Sequence, residues 1–256
     1  LDQIIGFIID GTGLDITGFV ILCGVSFLGS FLTATMGIGG GVLVLATMAQ
    51  ILPPAVLIPI HGVVQLGSNV GRATLMRKHI LTTIVPAFLI GTALGALLGA
   101  ELVITLPIAL LQVVLGLFIL YATWAPKFKA SNPGKPTFFG IGFGATLATM
   151  FVGATGPLVA PFVNAACPER QQVVATHATL MTIQHGLKIV AFGTLGFAFG
   201  PYIPLLAGLI VFGFAGTWSG KHVLLHLPEK MFRTGLKVIL TLLAGRLFYS
   251  AINGYV

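Results

Sequence analysis

Shifted against itself by 116 positions, this chain lays residues 37–41 (GIGGG) over 153–157 (GATGP), His61 over His177 and Arg72 over Lys188. Gly24/Gly140, Phe27/Phe143, Thr33/Thr149, Gly37/Gly153, Gly40/Gly156 and Ala49/Ala165 keep the same register. An internal duplication accounts for so many coincidences at one offset better than chance composition does, and it restricts the fold to two related halves. Apolar segments interrupted by glycine at corresponding places in two halves also point to a solute site between transporter repeats.

The halves belong in lipid. With 56% hydrophobic residues, 7% charged residues and a mean hydropathy of +1.04, the chain has more apolar surface than one water-soluble core can bury. Uncharged stretches at 16–71, 80–100, 102–126, 136–168 and 189–220 each hold a span of about 20 residues, and the first and fourth hold more than one element. A last apolar segment, 231–252, carries Lys237 and Arg246 and still reads as a span. Eight of the 13 Lys and Arg are gathered in three places: Arg77 and Lys78, beside His79; Lys127, Lys129 and Lys135; and Lys221, Lys230 and Arg233. The positive-inside rule makes those loops cytoplasmic, and so puts Asp2, Asp10, Asp15, Glu101 and both termini outside. The basic excess is therefore a topology signal, and no nucleic-acid partner is implied. Residues 1–15 have no basic n-region, so a cleavable signal is not expected. Cys23 and Cys167, one per half and without metal spacing, read as packed thiols; no metal site and no cofactor are expected.

The expected architecture is an all-α polytopic membrane protein of two inverted repeats, 1–124 and 137–256, joined by a cytoplasmic linker at 125–136. Each repeat opens with a Gly-interrupted broken or re-entrant helix pair, 17–36 with 42–52 and 137–152 with 158–166. Three transmembrane helices follow, at 55–76, 80–100 and 102–124 in the first repeat and at 171–192, 200–220 and 231–252 in the second. The second arms are about 16 and 13 Å long at 1.5 Å per residue, short of a hydrocarbon core of about 30 Å, so they dip in or unwind partway. Each half then makes an odd number of crossings, which inverts one half relative to the other. Gly91, Gly95 and Gly99, like Gly216 and Gly220, share a helical face at four-residue spacing and read as close-packing positions.

The helix after each break carries the polar chemistry. His61, Gln65, Ser68, Asn69 and Arg72 form one stripe, and His177, Gln184, His185 and Lys188 repeat it with Met181 where Gln65 stands. A stripe of this kind is expelled from lipid and must face protein or a water-filled cavity. Its middle, Gln65, Ser68, Asn69, Gln184 and His185, is expected at the bilayer midplane, with Arg72 and Lys188 near opposite mouths. Facing it, Gly39, Gly40 and Gly41 and the pair Thr155 and Gly156 lie where a short helix begins, so free backbone N–H groups and the positive end of the dipole favour an anion. Thr35 and Thr155 offer hydroxyl donors. All six acids lie in expected loops or termini, so the interior offers cationic groups and no carboxylate. An anion is the favoured cargo, and a histidine the favoured proton carrier.

The run ATMGIGGG, its partner FVGATGP and the His-bearing helices after them resemble the TauE/SafE sulfite exporter family, from about residue 16 to residue 252. The resemblance implies transport of sulfite, sulfoacetate or another short organosulfonate across a bacterial inner membrane, commonly outward. An alternating-access carrier is the expectation, with proton coupling through a histidine as an addition. An anion channel and a non-transporting membrane scaffold are the alternatives. No acid pair, HExxH or GxSxG is present, so an enzyme is not expected. The partners expected are a small anionic solute and the lipid bilayer, with a homo-oligomer also open.

Overall fold

The computed structural model describes residues 12, 14–36, 39–103, 107–125, 130–223 and 229–254, except for the side chains at 34–36, 103 and 221–233. These residues form ten helices and no strand. The first half holds α1 (Ile16–Met36), α2 (Gly40–Met48), α3 (Pro54–Leu75), α4 (Val85–Val103) and α5 (Ile108–Trp124). The second holds α6 (Lys135–Val152), α7 (Gly156–Ala166), α8 (Arg170–Thr194), α9 (Ile203–Val223) and α10 (Glu229–Asn253). The ends of α1 and α6, the starts of α2 and α7 and the starts of α3 and α8 all lie 116 positions apart.

Local chemistry sets these boundaries. Pro53 is extended and Pro54 opens α3, while Pro136 and Pro157 sit in the first turns of α6 and α7, where a missing N–H costs nothing. The short arms begin two residues earlier than expected, at Gly40 and Gly156 instead of 42 and 158, and α2 ends at Met48 instead of 52. Glycine is a poor helix former, so sequence alone favours the later start. Close contact between Gly40 and Gly29 of α1 holds the first turn in place instead.

The principal helix pairings all cross between halves: α1 with α9, α4 with α6, α3 with α8 and α5 with α10. Exchanging the halves carries α1·α9 onto α6·α4 and each remaining pair onto itself. Glycine makes the first two pairings possible. A methyl at Gly91 or Gly95 of α4 would collide with the Phe139 or Phe143 carbonyl of α6, and one at Gly216 of α9 would collide with the Phe27 carbonyl of α1. Phe27 and Phe143 are themselves duplicated positions, so both halves use the same seat. Ser26 adds a hydrogen bond of 2.6 Å to the Leu209 carbonyl.

Two of the corresponding helix pairs, α3 with α8 and α5 with α10, run antiparallel. Along α3 and α8, Gly62 lies against Lys188 and Ile189, Gly186 lies against Leu66, and the Leu81 N–H donates to Thr176 Oγ1 at 2.9 Å. Along α5 and α10, Gly116 lies against Phe248, and Trp124 Nε1 donates to Thr241 Oγ1 at 2.9 Å beneath Lys237.

Among the described residues, four helices are long and apolar enough to cross a membrane: Ile16–Thr33, Thr82–Leu102, Gly200–Gly220 and Thr234–Asn253. Their outward faces are apolar, with Leu97 68%, Val211 64% and Leu242 70% exposed, as lipid contact requires. The 22-residue α3 and 25-residue α8 carry the polar stripes and lie among the other helices. The 9-residue α2 and 11-residue α7, about 14 and 17 Å long, are too short to span alone. The chain is a polytopic all-α membrane protein.

Candidate functional site

The Gly-rich break of the first half uses three glycines for three different reasons. Gly39 takes φ 110°, a conformation side chains resist. Gly40 packs against the Gly29 backbone, where a Cβ has no room. A Cβ on Gly41 would come within 2.6 Å of Gln65 Nε2, so the bare Cα leaves the space that the Gln65 amide occupies. In the second half, Gly153 takes φ 77° with Leu45 of α2 packed against it, and His177 lies over Gly156. The two breaks therefore meet through the α2 side chains.

Both breaks, α3 and α8 enclose a cavity of about 410 Å³. Gly39, Gly40, Gly41, Gln65, Ser68, Asn69, Arg72, Gly156, His177 and His185 line it, bringing ten of the expected residues together. It reaches the surface at Leu75 and Arg170, where the end of α3 meets the start of α8. Arg72 folds back along its own helix: Nη2 donates to Asn69 Oδ1 at 3.0 Å and Nε to the Ser68 carbonyl at 3.3 Å. Asn69 Nδ2 in turn donates to the Gln65 carbonyl at 2.7 Å. Asn69 thus holds the guanidinium and has part of its donor capacity tied to its own helix.

His185 is 1% exposed and its Nδ1 has no hydrogen-bond partner, an unmet polar atom at the cavity wall. His177 is engaged with the Gly156 carbonyl through Nε2 at 3.2 Å. The acids whose side chains are described, Asp15, Glu101 and Glu169, are all exposed, so no carboxylate lies buried among the described side chains. Nor do the described residues contain a group of three His, Cys, Asp or Glu placed to hold a metal ion. The cavity presents guanidinium, imidazole, amide, hydroxyl and backbone N–H groups, a set suited to an oxyanion.

Several expected residues lie elsewhere. Thr155 Oγ1 donates to Gln184 Oε1 at 3.0 Å, and Gln184 Nε2 donates to Thr146 Oγ1 at 3.1 Å, all three side chains wholly buried. Thr155 and Gln184 therefore brace the second break from behind, fully buried and bonded to each other, and neither lines the cavity. Lys188 stands at no mouth. It is fully buried, and its Nζ donates to the Gly153 carbonyl at 2.8 Å, in space left by Gly62. His61 is fully buried beside it, with Nδ1 3.2 Å from the same Gly153 carbonyl and Nε2 3.1 Å from the Gly41 carbonyl. A neutral imidazole has one N–H for those two acceptors, whereas an imidazolium has one for each. The Thr35 side chain lies outside the described residues.

Sequence reasoning missed Arg170, Ser30 and Thr33, which also line the cavity. Ser30 and Thr33 share a helical face of α1, and a second polar stripe in an apolar helix was the available signal. Arg170 lies opposite Pro54 in the duplication and on no stripe, so nothing in the pattern marks it.

A protein-family model described as Sulfite exporter TauE/SafE matches residues 22–247 of the 256. No curated protein and no solved structure matches the chain. A match over most of the length, on a fold of duplicated membrane helices, places this chain in the TauE/SafE sulfite exporter family, a family of membrane transporters.

Proposed function

We propose that this chain is an alternating-access secondary transporter that exports sulfite or a short organosulfonate across a bacterial inner membrane. The observation that carries the reading is the cavity between the two Gly-rich breaks, lined by Arg72, Arg170, His177 and His185 and reached by no buried carboxylate among the described residues. The oxyanion sits among the N–H groups that open α2 and α7, with Gln65, Ser68 and His185 as further donors and Arg72 held toward it by Asn69. Arg170 draws anions to the mouth.

The two repeats, 1–124 and 137–256, are inverted about the linker at 125–136. The antiparallel course of α3 against α8 and of α5 against α10 supports this. The clustering of Arg77, Lys78 and His79 makes the Arg72 mouth cytoplasmic and both termini external. Proton coupling belongs to the same proposal: His61 binds one break or both according to its protonation, and His185 and Lys188 of α8 are the titratable groups facing it.

The test is flux in proteoliposomes. Saturable sulfite movement that accelerates in exchange for sulfite on the far side is expected, together with a sulfite-dependent rise in melting temperature. Unsaturable current would assign a channel, and neither flux nor thermal shift with sulfite, sulfoacetate, taurine, sulfate or thiosulfate would assign a scaffold.

A further inference from the structure

The duplication permits a comparison that neither half permits alone. Ser30, Thr33, Ser68 and Arg72 of the first half line the cavity. Their counterparts 116 positions on, Thr146, Thr149, Gln184 and Lys188, are each 0% exposed. For the histidines the order reverses: His177 lines the cavity and His61 is 0% exposed. The reversal follows from the antiparallel course of α3 and α8, which puts His61 and Lys188 together at one end and His177 and Arg72 together at the other. One set of polar residues faces solvent, and a near-equivalent set is shut.

The shut set is poorly served by burial. Thr149 Oγ1 has no hydrogen-bond partner. Lys188 has three N–H donors and one acceptor, the Gly153 carbonyl, which it shares with His61. No described carboxylate is buried to compensate the ammonium. Apolar residues would pack this end of the molecule at lower cost. Threonine, glutamine and lysine here make physical sense if the same groups meet water and solute in another state of the protein.

We propose that Thr146, Thr149, Gln184 and Lys188, with His61, line a second anion vestibule on the opposite face of the membrane, which opens when the Arg72 vestibule closes. The closed gate between them consists of the bonds Thr155 to Gln184, Gln184 to Thr146, and Lys188 and His61 to the Gly153 carbonyl, with Leu45 wedged on Gly153. Breaking it frees those donors for the anion and rehydrates Lys188, which offsets the lost bonds and keeps the two states close in energy. Lys188 then takes the role Arg72 has now. The inference rests on the transporter reading and goes beyond it by assigning the residues of the second face.

The test is sided labelling in oriented vesicles with a membrane-impermeant maleimide. Cys23 and Cys167 are buried and leave the parent unlabelled. Arg77→Cys and Glu101→Cys, exposed before and at the far end of α4, mark the two faces. Thr33→Cys is expected to label from the Arg77 face. Thr149→Cys, which sacrifices no hydrogen bond, is expected to label only from the Glu101 face, with sulfite shifting the two rates in opposite directions. Labelling of both cysteines from the Arg77 face would overturn the proposal, as would an unreactive Thr149→Cys in vesicles that still move sulfite. Should Thr149→Cys fail to fold, hydrogen exchange on the unmodified protein gives the second reading. Sulfite should change protection around Gln184 and Lys188 and around Ser68 and Arg72 in opposite senses, and a common sense would overturn it. Sided labelling of Thr149→Cys without sulfite flux would retain the second vestibule and reject sulfite as the cargo.

Discussion

Gly40 and Gly24 are both glycines of apolar helices, yet only one is needed. Gly40 has the Gly29 backbone where its Cβ would be, and Gly24 has nothing within 4 Å. Gly40→Ala should lower the melting temperature, at a cost of about 1–3 kcal/mol or more from overpacking, while Gly24→Ala should leave it unchanged or raise it. Thermal unfolding in detergent reads both. At the cavity, Arg72→Ala removes the guanidinium that Asn69 orients and should weaken sulfite binding by about ten- to hundredfold, the scale of a charge-assisted bond. A thermal-shift titration measures it, and Asn69→Ala should give part of the same loss. The sequence marked Arg72 and Lys188 as one kind of residue, because the duplication pairs them at equal places on equal stripes. It could not mark which is wet and which is dry. That depends on which end of the α3·α8 pair is closed, a property of how ten helices settle together, and the same limit applies to Ser68 against Gln184.

At the scale of elements, the glycine-interrupted helices and the three helices after each were legible because breaks and stripes recur at one offset. Both short arms start two residues earlier than glycine's low propensity favours, and at α2 the backbone contact between Gly40 and Gly29 accounts for it. Pairing was less legible: spacing showed that Gly91, Gly95 and Gly99 share a face, and only the fold shows that α6 fills it. Gly95→Val and Gly216→Val should therefore damage the molecule alike, one separating α4 from α6 and the other α1 from α9. Loss of monodisperse protein on size-exclusion chromatography checks both. The brace behind the second break is an element of a different kind. Gln184→Leu leaves the Thr146 and Thr155 hydroxyls buried with a lost partner and should cost about 1–3 kcal/mol of stability. Gln184→Glu should retain at least the bond from Thr155. Chemical or thermal unfolding of the pair separates the two outcomes.

For the whole molecule, the absence of buried carboxylates among the described residues and a polar cavity open beside Arg72 fit a carrier of anions that uses its two ends in turn. The cross-half pairing has a further consequence, for how the chain comes to be folded. When the first five helices have left the ribosome, the glycine face of α4 has no α6, α1 has no α9, α3 has no α8, and α5 has no α10. The nascent first half must wait in lipid, its polar stripe uncovered, until its sister is made. Residues 1–124 and 137–256 produced as separate polypeptides should each be degraded alone and should rebuild sulfite flux when produced together. Each repeat is then the folding template of the other, and the linker serves to deliver the two at the same time and place.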